Sequence, residues 1–156
     1  MLIIAVAAYA AAIIAANLSV AAFGPAISPL NAFLFIGFDL ALRDWLHVRL
    51  KAWQMLALIA AAGGLSYGLN PAAGIIAIAS TTAFVAAAVV DWGVFTTVAG
   101  SWFKRSNVSN VAAAAVDSIV FPTIAFGALM PHIVVMQFTA KVLGGAIWSW
   151  ALNRGR

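Results

Sequence analysis

AAGIIAIASTTAFVAAAVVDWGVFTTV, residues 72–98, carries a single charged side chain, Asp91, in an otherwise apolar and small-residue run. As a helix it would be about 40 Å long at 1.5 Å per residue, more than the ~30 Å hydrocarbon core of a bilayer. The rest of the chain has the same character. Its 156 residues are 65% hydrophobic and 8% charged, with a mean hydropathy of +1.08, whereas soluble domains are about a quarter charged. The chain is therefore expected to be an all-α, polytopic membrane protein.

No polar stretch is long enough to fold alone, so residues 1–156 read as one integral membrane domain. The absence of cysteine excludes a disulfide framework, a thiolate metal site and a cysteine nucleophile. A net charge of +4, scattered along the chain, gives no footprint for nucleic acid; the partner that composition demands is the lipid bilayer. Residues 1–22 lack a basic leading segment and read as a retained span, not a cleaved signal.

Outward from residues 72–98, the apolar runs divide into six spans: 2–22, 30–45, 52–69, 72–98, 108–129 and 133–152. Between them lie turn signals: Gly24-Pro25 with Pro29, Asn70-Pro71, Ser106-Asn107 and Met130-Pro131. Arg43, Arg49 and Lys51 fall between spans two and three, Lys104 and Arg105 between four and five, and Arg154 and Arg156 after six. The other connections have no Lys or Arg. By the positive-inside rule this predicts a six-transmembrane-helix bundle with both termini cytoplasmic. Ala8, Ala12 and Ala16 form one small-residue stripe and Ala7, Ala11 and Ala15 its neighbour. Such stripes suit close packing within the chain or a docking face for a partner subunit. Gly63-Gly64 and Gly144-Gly145 mark further close crossings or local flexibility.

All four acidic residues are aspartates, and Asp39, Asp91 and Asp117 lie inside apolar spans. A carboxylate there costs on the order of 2.5–3.5 kcal/mol by insertion scales, so such groups point to a site. Lys141 is the one Lys or Arg well inside a span. At 1.5 Å per residue, Asp39, Asp117 and Lys141 each lie roughly 14–15 Å from a span end, near one depth. Asp117 and Lys141, on spans joined by a tight turn, are the expected pair. Asp39 and Arg43 share a helical face at i, i+4. Asp91 sits nearer the cytoplasm, and Asp44 belongs to a solvated loop. Phe35, Phe38, Trp92, Phe95 and Phe121 flank the acids; they either suit a flat, nitrogen-rich ligand or serve, as most membrane aromatics do, as packing and interface anchors. Ser80, Thr81 and Thr82 either line a polar cavity or bond their own helix backbone. His47 and His132 fall on opposite membrane sides and cannot share a haem or metal, so no metal site and no cofactor is expected. The chain has no phosphate-binding GxxxxGK[ST] loop and no hydrolase signature. It is not expected to be an enzyme.

FIGFDLALRDWLH, ASTTAFVAAAVVDWGVF, RSNVSNVAAAAVDSIVFPTIAFG and AKVLGGAIW follow one another in this order. Together they resemble the vitamin uptake transporter family, whose members include queuosine precursor transporters. The resemblance runs from about Asn17 to span six. It implies a six-helix importer of the inner (plasma) membrane for 7-cyano-7-deazaguanine or a similar deazapurine. It also implies substrate-binding roles for Asn17, Asp39, Arg43, Asp91, Ser109, Asp117 and Lys141. A deazaguanine presents a lactam N–H beside an exocyclic amine, and one carboxylate can accept both. Asp117 is the first choice for that acceptor and Asp91 the second. The pattern departs at Ala114, where family members often carry Gln or Asn. Two other readings fit the residues: a substrate-binding subunit of an energy-coupling-factor vitamin transporter, docking through Ala8, Ala12 and Ala16, or a structural membrane protein whose acids only lock helices. A homo-oligomer or an energy-coupling module is an expected partner.

Overall fold

The computed structural model describes residues 1–39, 42, 46 and 49–153, leaving out the side chains of 102, 103, 106, 149, 152 and 153. Among the described residues there is no strand. Helix α1 (Leu2–Phe23) leads through a 3₁₀ turn (Gly24–Ile27) into α2 (Ser28–Asn31), which runs on through a π-helical turn (Ala32–Ile36). Then come α3 (Ala52–Leu69), α4 (Gly74–Thr97), α5 (Trp102–Phe126) and α6 (Pro131–Asn153). Among the described residues, four helical segments are long and apolar enough to cross a membrane: Leu2–Asp39, Ala52–Leu69, Pro71–Thr97 and Asn107–Phe126.

The first of these, 38 residues long, is a hairpin. Asn31 Nδ2 donates to Ser19 Oγ at 2.7 Å and to the Ala16 carbonyl at 3.2 Å. A straight helix would separate Asn31 from Ser19 by about 18 Å. The chain reverses at Gly24, whose φ of 70° a side-chain-bearing residue rarely adopts, and Pro25 and Pro29 come next with no N–H to continue a helical ladder.

The remaining helix ends are set by local chemistry. Gln54 Oε1 accepts from the Lys51 N–H at 2.8 Å at the start of α3. Asn70 Oδ1 accepts from the Ala72 N–H at 3.0 Å, and Gly127 ends α5 at φ 70° and ψ 9°. One boundary differs from the sequence expectation. Ser106-Asn107 is not a turn: the chain bends earlier, at Gly100 (φ 129°), and α5 starts at Trp102 with Ser101 Oγ accepting from the Lys104 N–H. Ser and Asn are as common just inside polar helix starts as in turns, and the cap decides. That end is held by Arg105, whose Nε donates to the Phe95 carbonyl at 2.8 Å while its guanidinium sits 4.2 Å from the Phe95 ring centre.

Large apolar side chains face outward all round the molecule: Ile3, Ile78, Val89, Val135 and Leu143 are more than half exposed. In water this would be a liability; in lipid it is the expected belt. The interior is built from small residues, because lipid supplies no hydrophobic drive and helices gain stability through close backbone approach. Ala79, Ala83 and Ala87 on α4, and Ala113 and Ala114 on α5, are buried. A second cluster packs Tyr9 and Ile13 of α1 against Met55, Ile59 and Ala62 of α3, with Leu42 and Leu46. Ala12 and Ala16 are buried too and Ala8 is half-buried, whereas Ala7 and Ala11 of the neighbouring stripe are exposed.

The closest crossing joins the π-helical turn to α6. A Cβ on Gly37 would lie 2.7 Å from the Gly144 backbone, and one on Gly144 would overlap the Phe33 carbonyl oxygen. Gly63 is less demanding: its Cβ would meet Ala77 at an ordinary 3.4 Å, and Gly64 faces open space. The two substitutions Gly144→Ala and Gly64→Ala should therefore part company. The first should lower the melting temperature of the purified protein, at a cost of about 1–3 kcal/mol for overpacking. The second should leave it unchanged or raise it, since glycine costs a helix about 0.5–1 kcal/mol relative to alanine.

Candidate functional site

Helical spacing brings polar residues from five elements to one cavity. Helix α1 contributes Tyr9, Ile13, Ala16, Asn17 and Val20, a single face. From α2 and its continuation come Ser28, Asn31, Ala32, Ile36 and Asp39. The later helices each add an i, i+4 pair: Ser80 and Phe84 from α4, Asp117 and Phe121 from α5, Gln137 and Lys141 from α6. From α3 only Ile59 reaches the wall. The space it encloses is about 60 Å³, smaller than the roughly 300–1,000 Å³ of typical small-molecule sites.

Its electrostatic centre is the expected pair. Lys141 Nζ lies 2.5 Å from Asp117 Oδ2, with Lys141 2% and Asp117 23% exposed. The ammonium also donates to Ser118 Oγ at 3.1 Å and to Gln137 Oε1 at 3.0 Å. Gln137 Nε2 in turn donates to Ser28 Oγ. One hydrogen-bonded chain thus links α5, α6 and the start of α2. Asp117 stands on the cavity wall one turn before Phe121. Phe121 is itself braced edge-to-face by Phe126, centroids 6.1 Å apart. Pro122, fully buried, has no N–H, so the Ser118 carbonyl beside the pair loses its usual i+4 donor.

Of the residues expected from sequence, Asp117, Lys141, Asp39 and Asn17 meet at this cavity. Asp39 and Asn17 are buried, and Asn17 Nδ2 also donates to Ser66 Oγ at 3.3 Å, tying α1 to α3. Asp91 and Ser109 do not line the cavity. Ser109 is buried nearer the start of α5. Asp91 has an oxygen, Oδ1, that is buried without a hydrogen-bond donor among the described residues. Arg43, Asp44, His47, Arg154 and Arg156 lie outside the described residues, so the expected Asp39–Arg43 pair does too.

The aromatic expectation holds for one residue of the five. Phe121 is on the wall, while Phe38 packs edge-on against Trp148 at 5.0 Å and Phe95 lies under Arg105. Trp92 is 70% exposed, turned outward, and Phe35 is not on the wall. Ser80 lines the cavity, whereas Thr81 Oγ1 bonds the Ala77 carbonyl at 2.9 Å, the backbone alternative. Sequence reasoning missed Tyr9, Ser28, Asn31, Phe84 and Gln137. For Gln137 the signal was available: an amide in an apolar span, four residues before Lys141.

The assembled wall is mixed: Tyr9, Phe84, Phe121 and several aliphatic residues stand beside Asn17, Asn31, Asp39 and the Asp117–Lys141 pair. A few polar groups among apolar and aromatic ones are the usual make-up of a small-molecule site. Among the described residues, no group of His, Cys, Asp or Glu side chains is arranged to hold a metal ion.

The family model described as "Putative vitamin uptake transporter" matches residues 1–153. No curated protein and no solved structure matches the chain significantly.

Removing one partner of a buried ion pair strands the other, at a cost of about 3–5 kcal/mol. Lys141→Met should therefore lower the melting temperature sharply. The double variant Lys141→Met with Asp117→Asn, which removes the stranded charge, should recover much of the loss. Thermal unfolding followed in detergent would read both.

Proposed function

Because the chain belongs to the vitamin uptake transporter family, we propose that it imports a queuosine precursor, 7-cyano-7-deazaguanine or a similar deazapurine, across the inner (plasma) membrane. The observation that carries this reading is the state of Asp117. Its Oδ2 is held by Lys141 at 2.5 Å, and the same carboxylate borders a cavity that Phe84 and Phe121 help to wall. A deazaguanine edge offers two adjacent N–H donors to such a carboxylate, and charge-assisted bonds of this kind are roughly twice as strong as neutral ones. The ring faces suit aromatic side chains.

In this reading the six helical segments are six spans with both termini in the cytoplasm, supported by basic residues confined to alternate connections. Asp117 is the recognition carboxylate, Asp39 and Asn17 complete the wall, and Lys141 neutralises Asp117 while it waits for substrate. Asp91, away from the cavity, acts on the transport path and not on binding. The chain acts as a standalone importer. The competing role is a binding subunit of an energy-coupling-factor transporter docking through Ala8, Ala12 and Ala16, of which Ala12 and Ala16 are buried and Ala8 half-buried.

Uptake and equilibrium binding of 7-cyano-7-deazaguanine test the assignment. Asp117→Asn, which replaces one acceptor oxygen by a donor, should weaken binding at least tenfold and abolish uptake. Asp91→Asn should leave binding within about twofold, whatever its effect on uptake, given that substitutions away from a site rarely exceed about 0.5 kcal/mol. Unchanged binding by Asp117→Asn removes that carboxylate from the site.

A further inference from the structure

Lys141 has three ammonium protons, and three acceptors take them: Asp117 Oδ2, Ser118 Oγ and Gln137 Oε1. Although Lys141 borders the cavity, it has no donor left for a ligand. Gln137 is what completes the set. Its amide cannot turn over without loss, because Nε2 donates to Ser28 Oγ while Oε1 faces the ammonium; a flip would aim N–H groups at a cation. Ser28, Gln137 and Lys141 are all buried, so water does not compete for these bonds.

We propose that Gln137 is a specificity-determining residue: by holding Lys141 on its own helix and on Asp117, it leaves no lysine proton free toward a ligand beside Asp117. A ligand edge made of two donors then meets a carboxylate with no opposing ammonium N–H. An edge in which a carbonyl replaces one donor sets oxygen against oxygen, and no lysine proton is free to relieve it. Selectivity of this kind is strong because the penalty is an unpaired buried polar group, not a lost apolar contact. The amide that the sequence lacks at Ala114, buried on α5, is thus not what orders the site; the amide of α6 does so, from behind the ion pair. Gln137 acts through Lys141 and does not need to touch the ligand.

This inference rests on the reading that the cavity takes a deazapurine edge at Asp117. Its test uses 7-deazaguanine and 7-deazaxanthine, which differ by an amine or a carbonyl at position 2, with affinities measured on the full chain in detergent. The wild type should prefer 7-deazaguanine at least tenfold. Gln137→Met, close in size but without the acceptor, frees one lysine proton and should reduce that preference at least fivefold, mainly by improved binding of 7-deazaxanthine. Gln137→Glu retains an oxygen for Lys141 and should keep the wild-type preference, which a merely structural role for this position would not distinguish. If Gln137→Met does not fold, Gln137→Asn, whose shorter side chain withdraws the oxygen from Lys141, is held to the same fivefold criterion. A wild type that binds neither compound overturns the deazapurine reading itself. A selective wild type whose preference survives in the folded acceptor-removing variant overturns the role of Gln137 alone.

Discussion

A cation and a carboxylate inside a membrane protein must solve their desolvation together, and the Lys141–Asp117 contact is where this structure does so. Coulomb attraction between the two does not by itself repay their removal from water; the remaining lone pairs and protons need partners as well. Ser118 and Gln137 take the other lysine protons, and Ser28 receives the amide of Gln137. Each added partner fixes another element, so the pair holds α5, α6 and the start of α2 in one arrangement. The incompletely used group is Asp117, 23% exposed where Lys141 is 2% exposed. An ion pair buried on one side and half-buried on the other ties the helices together while one partner still borders the cavity.

Close backbone packing makes that arrangement reachable. Lysine and glutamine side chains from α6 meet Asp117 and Ser28 only if the helices approach closely, and Gly37 against Gly144 permits this beside the π-helical turn. A π turn shifts the helical register of the residues after it, here on the segment that carries Asp39. The hairpin at Gly24 has a comparable role. It returns Asn31 to α1, where Nδ2 bonds Ser19 and Ala16, and so sets Ser28 within reach of Gln137. The polar network and the glycine contacts are two aspects of one packing solution.

Most of the architecture was legible in the chain, because its signals are local. Apolar runs long enough to span a bilayer, prolines, glycines and Asn70 mark the helices and their ends, and the span 52–69 coincides with α3. The misplaced boundary at Ser106-Asn107 reflects an ambiguity of residue type: serine and asparagine serve turns and helix starts alike, and the bend went to Gly100 and Ser101. The ion pair was legible for another reason. With so few charged residues, cost singled out Asp39, Asp91, Asp117 and Lys141, and equal depth with the tight turn between their spans paired the last two. Phe38 and Trp92 are next to acids in sequence, yet adjacent residues on a helix point in different directions. Phe95, at i+4 from Asp91, packs against Arg105 away from the cavity, and of the five aromatic residues only Phe121, at i+4 from Asp117, reaches the wall.

The sequence by itself determined that this is a helical membrane protein with ionisable groups placed where they are costly, since hydropathy, turn chemistry and charge scarcity are properties of residues in order. Only the tertiary structure decided which of those groups share a site. It brought Asp117, Lys141, Asp39 and Asn17 to one cavity, left Asp91 and Ser109 outside it, and added Ser28 and Gln137 as the partners that saturate the lysine. The physical reason is that helix rotation and the depth of each crossing depend on contacts between segments far apart in the chain, Gly37 with Gly144 and Gln137 with Ser28 among them. No local pattern encodes such contacts.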